Sequence, residues 1–108
     1  MKKIHLAIST QNLTASVKDY SLRLNAQPDL IIAGQYALWR TETLNFSVRQ
    51  DERNSSGSLR HLGWEDSTTS TMSEETDVNG IVWERFTAAQ QAEEISQIWS
   101  QVDYAPSD

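Results

Sequence analysis

The chain contains no cysteine, only two prolines and only four glycines among its 108 residues. Without cysteine there is no disulfide framework, no thiolate metal ligand and no cysteine nucleophile. No apolar run approaches the roughly 18 residues that a membrane-spanning helix needs. The opening Met-Lys-Lys-Ile-His runs straight into a patterned strand, without the consecutive apolar core of a signal peptide. Basic residues are scarce and unclustered: nine Lys and Arg against fifteen Asp and Glu give a net charge of −6. That balance argues against a nucleic-acid backbone or an anionic membrane as partner. Gly-rich phosphate loops, nucleophile elbows and zinc-finger spacings are missing too. With 38% hydrophobic and 22% charged residues, the composition fits one globular domain, residues 1–108, and a cytoplasmic protein.

Histidine is equally scarce, and its placement is informative. His5 stands in "KIHLAIST" (3–10) and His61 in "RHLGWED" (60–66), each followed by Leu, a small residue and a bulky apolar one. In the first stretch Ile4, Leu6 and Ile8 alternate with His5, Ala7 and Ser9, which predicts a half-buried strand over 2–9. Asn12 offers an N-cap, and Leu13, Val17, Tyr20 and Leu24 form the apolar stripe of a helix running to about Asn25. Pro28 stops it. A short strand over Leu30–Ala33 and a hairpin of Tyr36–Thr41 with Leu44–Gln50 complete a β-α-β-β-β order over residues 1–52. Asp51–Ser58 has linker composition, rich in Ser, Asn and Gly. A second half (59–86) follows, with a strand at Leu59–Glu65, a polar loop from Asp66 to Asn79 and a strand in "NGIVWERF". Thr87 and Gln90 form a capping box for a final helix over 87–102, its apolar face made by Ile95, Ile98, Trp99 and Val102.

The repeated His-Leu-small-bulky start suggests an internal duplication whose second copy is shortened. "IHLAISTQNLTASVKDYSLRLNAQP" resembles the opening strand and helix of the vicinal oxygen chelate superfamily, the glyoxalase, bleomycin-resistance and extradiol-dioxygenase relatives. "HLGWED" resembles the first strand of that family's second module, and "DVNGIVWERF" its closing strand, with Val78 where proline is usual. The likeness covers residues 2–50, 59–66 and 77–86 and is nearest the cadmium- and arsenical-inducible branch. It implies an α+β fold: a glyoxalase/dioxygenase-like βαβββ module followed by a truncated module of two strands and a C-terminal helix. The arsenic-binding cysteine pair of that branch has no counterpart here, so organoarsenical lyase activity is not expected.

The resemblance places the family's metal ligands on His5, His61 and Glu84. Two imidazoles and a carboxylate suit Fe(II), Mn, Ni or Zn, with positions left open for water or for a substrate chelating through two oxygens. The competing reading is two satisfied structural histidines and a solvent-facing Glu84; Glu65, on the same face as His61, is a rival carboxylate. Tyr36, Arg49 and Trp39 are candidates to line a substrate cavity. Core packing is the alternative for Trp39, and an exposed salt bridge for Arg49. Trp64, Trp83 and Trp99 read as core or interface. Three functions follow: a metal-dependent lyase, dioxygenase or isomerase acting on a small molecule, a metal-free small-molecule binding protein, or an interaction module. The missing half-module, which would leave sheet edges and an apolar face bare, predicts a homodimer.

Overall fold

Alternation along the first strand sorts its side chains onto two faces, and in the computed structural model, which describes residues 2–107, both faces are covered. The elements run β1 (Lys2–Thr10), α1 (Leu13–Leu24), β2 (Leu30–Ile32), β3 (Tyr36–Arg40), β4 (Leu44–Gln50), β5 (Leu59–Asp66), β6 (Ser73–Thr76), β7 (Val82–Phe86) and α2 (Ala88–Ile98). The strands form one mixed sheet in the order β2-β3-β4-β1-β5-β7-β6, so the fold is mixed α+β. β1 lies parallel to β4 and β5 parallel to β7, and the remaining pairs are antiparallel.

On one face, Leu6, Ile8, Ala37, Trp39, Phe46 and Val48 pack against Leu13, Val17, Tyr20 and Leu24 of α1. Asn12 caps this helix by accepting the Ala15 N–H at 3.1 Å. Its end is made by Asn25 in the left-handed conformation, φ 50°, which asparagine tolerates better than most residues. The stripe predicted for α1 is the one that packs.

The opposite face is less ordinary. Ile32, Tyr36 and Leu38 pack there against Ile95 of α2 and against Trp99, Val102 and Tyr104 beyond it. Next to this apolar patch lies a layer of buried polar side chains: His5, Asn45, Ser47, Glu65 and Gln91. Burying such groups costs a few kcal/mol each unless they are hydrogen-bonded, so this layer needs internal partners.

Three expectations change. The stretch 66–79 is not all loop, since Ser73–Thr76 pairs antiparallel with Val82–Arg85. All four β6 residues are exposed, so no hydrophobic pattern announces the strand; the open edge of β7 supplies the backbone partners. The final helix ends at Ile98, and the Val102 N–H bonds to the Trp99 carbonyl at 2.9 Å, folding the tail back onto β2 and β3. That tail and α2 cover the face expected to lie bare. The hairpin of β3 and β4 is as expected, and the short strand expected over Leu30–Ala33 stops at Ile32, before Gly34 turns the chain at φ 72°. Among the described residues, no helix is long and apolar enough to cross a membrane.

Asp66 closes β5 and offers a test of the sheet's acid tolerance. Its carboxylate accepts the Thr68 hydroxyl at 2.7 Å and N–H at 3.0 Å, and the Arg85 guanidinium at 2.5 Å. These bonds, Thr68 first, hold its pKa at about 2 against an ordinary 3.8. A depressed carboxylate stabilises the fold fully above its unfolded value, and that contribution fades as pH falls through the folded one. Melting temperature should therefore drop between about pH 4 and pH 2, and Asp66→Asn should flatten that drop. An unchanged profile in the variant would remove Asp66 as its cause.

Candidate metal centre

Strand register brings the two histidines together. His5 sits beside Asn45 of β4 and opposite Gly63 of β5, while Ala7 lies opposite His61. Gly63 in turn neighbours Glu84 of β7. A Cβ at Gly63 would lie 2.2 Å from the Glu84 carbonyl oxygen. Only glycine therefore lets β7 approach closely enough to deliver its carboxylate.

The ligand atoms of His5, His61 and Glu84 all lie within 4.8 Å of one another. His5 Nε2 and His61 Nε2 are 2.9 Å apart, and His61 Nε2 is 3.1 Å from Glu84 Oε1. Ligands about 2.1 Å from a common metal, at angles of 90° to 109°, stand roughly 3.0–3.4 Å apart. The two short separations match that requirement.

Behind His5 lies a hydrogen-bond chain that settles which ring nitrogen faces the triad. Glu65 is paired with Arg40 through two bonds, Nε to Oε1 at 2.8 Å and Nη2 to Oε2 at 2.9 Å. An ionised carboxylate only accepts, so the Asn45 amide must turn Nδ2 toward Glu65, 2.9 Å away. Its second N–H reaches Gln91 Oε1 at 2.7 Å, and Gln91 Nε2 returns a bond to Asn45 Oδ1 at 3.2 Å. Oδ1 then accepts from His5 Nδ1 at 2.8 Å. His5 accordingly carries its proton on Nδ1 and presents the Nε2 lone pair to His61 and Glu84. Phe86 stands edge-on to the His5 ring at 4.9 Å and limits its rotation.

Electrostatics keep the imidazoles neutral. Burial lowers the pKa of His5 despite its bonds to Asn45, and burial with the neighbouring His5 and Arg60 lowers His61 to about 3. Burial, with Glu94 and Glu74 nearby, raises Glu84 to about 7. The His61–Glu84 contact is thus a hydrogen bond and not an ion pair. A single proton on His61 Nε2 cannot point along both short contacts at once, whereas a cation between the three atoms satisfies all of them. The donor set fits a divalent metal, and both imidazoles are already in the ligating form.

The structure places the other candidates unequally. Tyr36 and Arg49 line the cavity beside the triad, together with Ser47, Arg60 and Met72 from the sheet side and Gln91, Glu94, Ile95, Ile98 and Trp99 from α2 and its end. Arg49 lies over the Trp99 ring, 5.1 Å from its centre, and among the described residues it takes no salt bridge. Trp39 lies elsewhere: it is fully buried on the α1 face, its Nε1 donating to the Ala26 carbonyl at 3.1 Å. Alternation explains this, because Trp39 and Tyr36 point to opposite sides of β3. Glu65 shares the face of His61 but is committed to Arg40 and Asn45. Asn45, Gln91, Arg40 and Arg60 were not singled out from sequence. Asn45 and Ser47 alternate with Phe46 and Val48, a polar face that hinted at the first; the others had no such signal.

A scan against protein-family models gives no match for this sequence, and neither does a comparison with curated proteins.

The two carboxylates should separate by mutation. Glu84→Gln removes a ligand and should weaken Zn(II) or Mn(II) binding more than 100-fold. Glu65→Gln acts through Asn45 and His5, and a loss nearer tenfold is expected, at the lower end for groups that orient a ligand. Calorimetric titration of both variants checks this, and the reverse order would show the carboxylates misassigned.

Proposed function

We propose that the protein is a small metal-dependent enzyme of the vicinal oxygen chelate type, a lyase, dioxygenase or isomerase acting on a small substrate with two neighbouring oxygens. The observation that carries this reading is the convergence of His5, His61 and Glu84, delivered by three different strands onto one point at a cavity. The order of β1, α1, β2, β3 and β4 supports a glyoxalase/dioxygenase-like βαβββ module. The adjacency of β5 and β7, which carry "HLG" and "WE", supports a shortened second module. A homodimer and a cytoplasmic location complete the proposal.

The bound ion, Fe(II), Mn, Ni or Zn, would supply Lewis acidity toward the substrate oxygens or, as iron, access to oxygen chemistry. The chain's own groups do the rest. His5, His61 and Glu84 would hold the ion at the wall of the cavity they line. Asn45 and Gln91 keep His5 in the ligating tautomer. Burial pushes the Tyr36 hydroxyl up to about 12, against the pull of the Ser47 hydroxyl, so Tyr36 stays a protonated donor in the cavity wall. Phe86 packs edge-on against the His5 ring.

Cavity size favours this reading over metal-free sequestration of a bulky compound. The space for water-sized guests is about 30 Å³, where one water needs roughly 10–15 Å³. A metal ion with a few small oxygen ligands suits that volume.

Metal analysis of protein purified without chelator or His-tag should find about one equivalent per chain. His61→Ala should lose at least 100-fold in affinity when titrated with Fe(II), Mn(II), Ni(II) and Zn(II). Failure of the wild type to take up any of the four would end the metal-enzyme reading.

Light scattering at micromolar concentration should give about twice the 12.2 kDa of one chain. A single-chain mass that persists as concentration rises would remove the dimer.

A further inference from the structure

β5 departs from regular pairing at one point, and the departure aims a cation at the cavity. Ala7 of β1 pairs with His61, but the next residue, Ile8, pairs with Leu59, so Arg60 is left without a partner in the register. Strict alternation would send Arg60 to the face opposite His61. An extra residue in one strand re-aims side chains locally, and here Arg60 and His61 both line the same cavity.

Arg49 lines it as well, with its guanidinium over Trp99. Among the described residues, neither arginine makes a salt bridge within 4.0 Å, whereas Arg23, Arg40, Arg53 and Arg85 all do. Neither donates a side-chain hydrogen bond there. Arg60 is partly buried. Two poorly paired cations facing one small cavity are a cost unless an anion joins them. The charged groups lining the cavity are balanced, the Arg49 and Arg60 guanidiniums against the Glu84 and Glu94 carboxylates, in a chain whose overall charge is −6.

We propose that the cavity beside the triad takes a small dianion with oxygen donors, of the oxalate, phosphate or phosphonate kind, whose charge is held by Arg49 and Arg60. This rests on the metal-enzyme reading and names its substrate class: the anion's charged oxygens meet the arginines while another oxygen reaches toward His5, His61 and Glu84. Guanidinium forks match such oxyanions in geometry as well as charge. The small volume restricts the ligand to a few heavy atoms on the triad side, with any larger remainder directed out past Met72, Glu94 and Ile98.

The test is calorimetric titration of chelator-stripped protein with oxalate, with inorganic phosphate and with oxamide, the neutral counterpart of oxalate in shape. Wild type should bind both anions and bind oxamide at least tenfold more weakly than oxalate. Arg60→Met and Arg49→Met keep much of the packing stem and should each lose at least tenfold for oxalate. Arg60→Lys should fall between, and Arg23→Met, on the surface of α1, should match wild type. Thermal melts give a second readout that also reports folding: phosphate should raise the melting temperature of wild type and leave that of Arg60→Met unmoved. Equal binding of oxalate and oxamide, or wild-type affinity in both methionine variants, would overturn the proposal. So would an absence of oxalate binding up to about 10 mM. Arginine-dependent oxalate binding by a protein that takes up no metal would retain the anion site and discard the metal enzyme. Metal uptake without oxalate binding would do the opposite.

Discussion

The buried carboxylate of Glu65 can only accept hydrogen bonds, and the chemistry of the site depends on that constraint. With Arg40 on one side, it forces the Asn45 amide to face it through nitrogen. The amide oxygen is thereby turned to His5, which must place its proton on Nδ1 and its lone pair on Nε2. Gln91 closes the arrangement from α2, so that Asn45 uses both its donors and both its acceptor sites. Buried ion pairs add little net stability once desolvation is counted. Arg40 and Glu65, almost wholly removed from solvent, act here by giving the hydrogen bonds above them one direction.

Such a network needs a rigid frame, and the sheet supplies it. His5, Asn45, Gly63 and Glu84 are side-by-side neighbours across four strands, so their spacing follows from strand separation. The absence of a side chain at Gly63 sets how near β7 comes. The polar layer cannot face water on one side as antiparallel sheets often do, because α2 and the folded-back tail cover it. Covering it lowers the local dielectric, which keeps both histidines neutral and raises Glu84. Burial thus holds the two imidazoles in the neutral, ligating form, whereas Glu84 must give up its proton to bind a cation.

Charge is distributed unevenly in the same way. The chain is acidic overall, yet the cavity gathers Arg49 and Arg60 alongside Glu84 and Glu94. The bulge in β5 is the structural origin of that gathering, since it turns Arg60 onto the face it would otherwise avoid.

By itself the sequence determined the elements with strong local signals. The α1 stripe, the Asn12 cap, the Thr87–Gln90 capping box and the hairpin of β3 and β4 follow from side-chain periodicity and capping chemistry, which act within a few residues. His5 and His61 were legible as a pair because matching contexts surround them, and Glu84 joined them only through the family resemblance. Tertiary structure alone decided the rest, because each remaining feature depends on a partner distant in the chain. β6 exists because β7 offers an open edge, and Tyr36 rather than Trp39 lines the cavity because α2 covers the Tyr36 face of β3. Glu65 became a support for His5 only once Arg40 and Asn45 stood beside it, and Arg60 faces the cavity because pairing with β1 slips by one residue. Periodicity reports which residues share a face; hydrogen-bond partners and bulges are set by what the facing strand and helix bring.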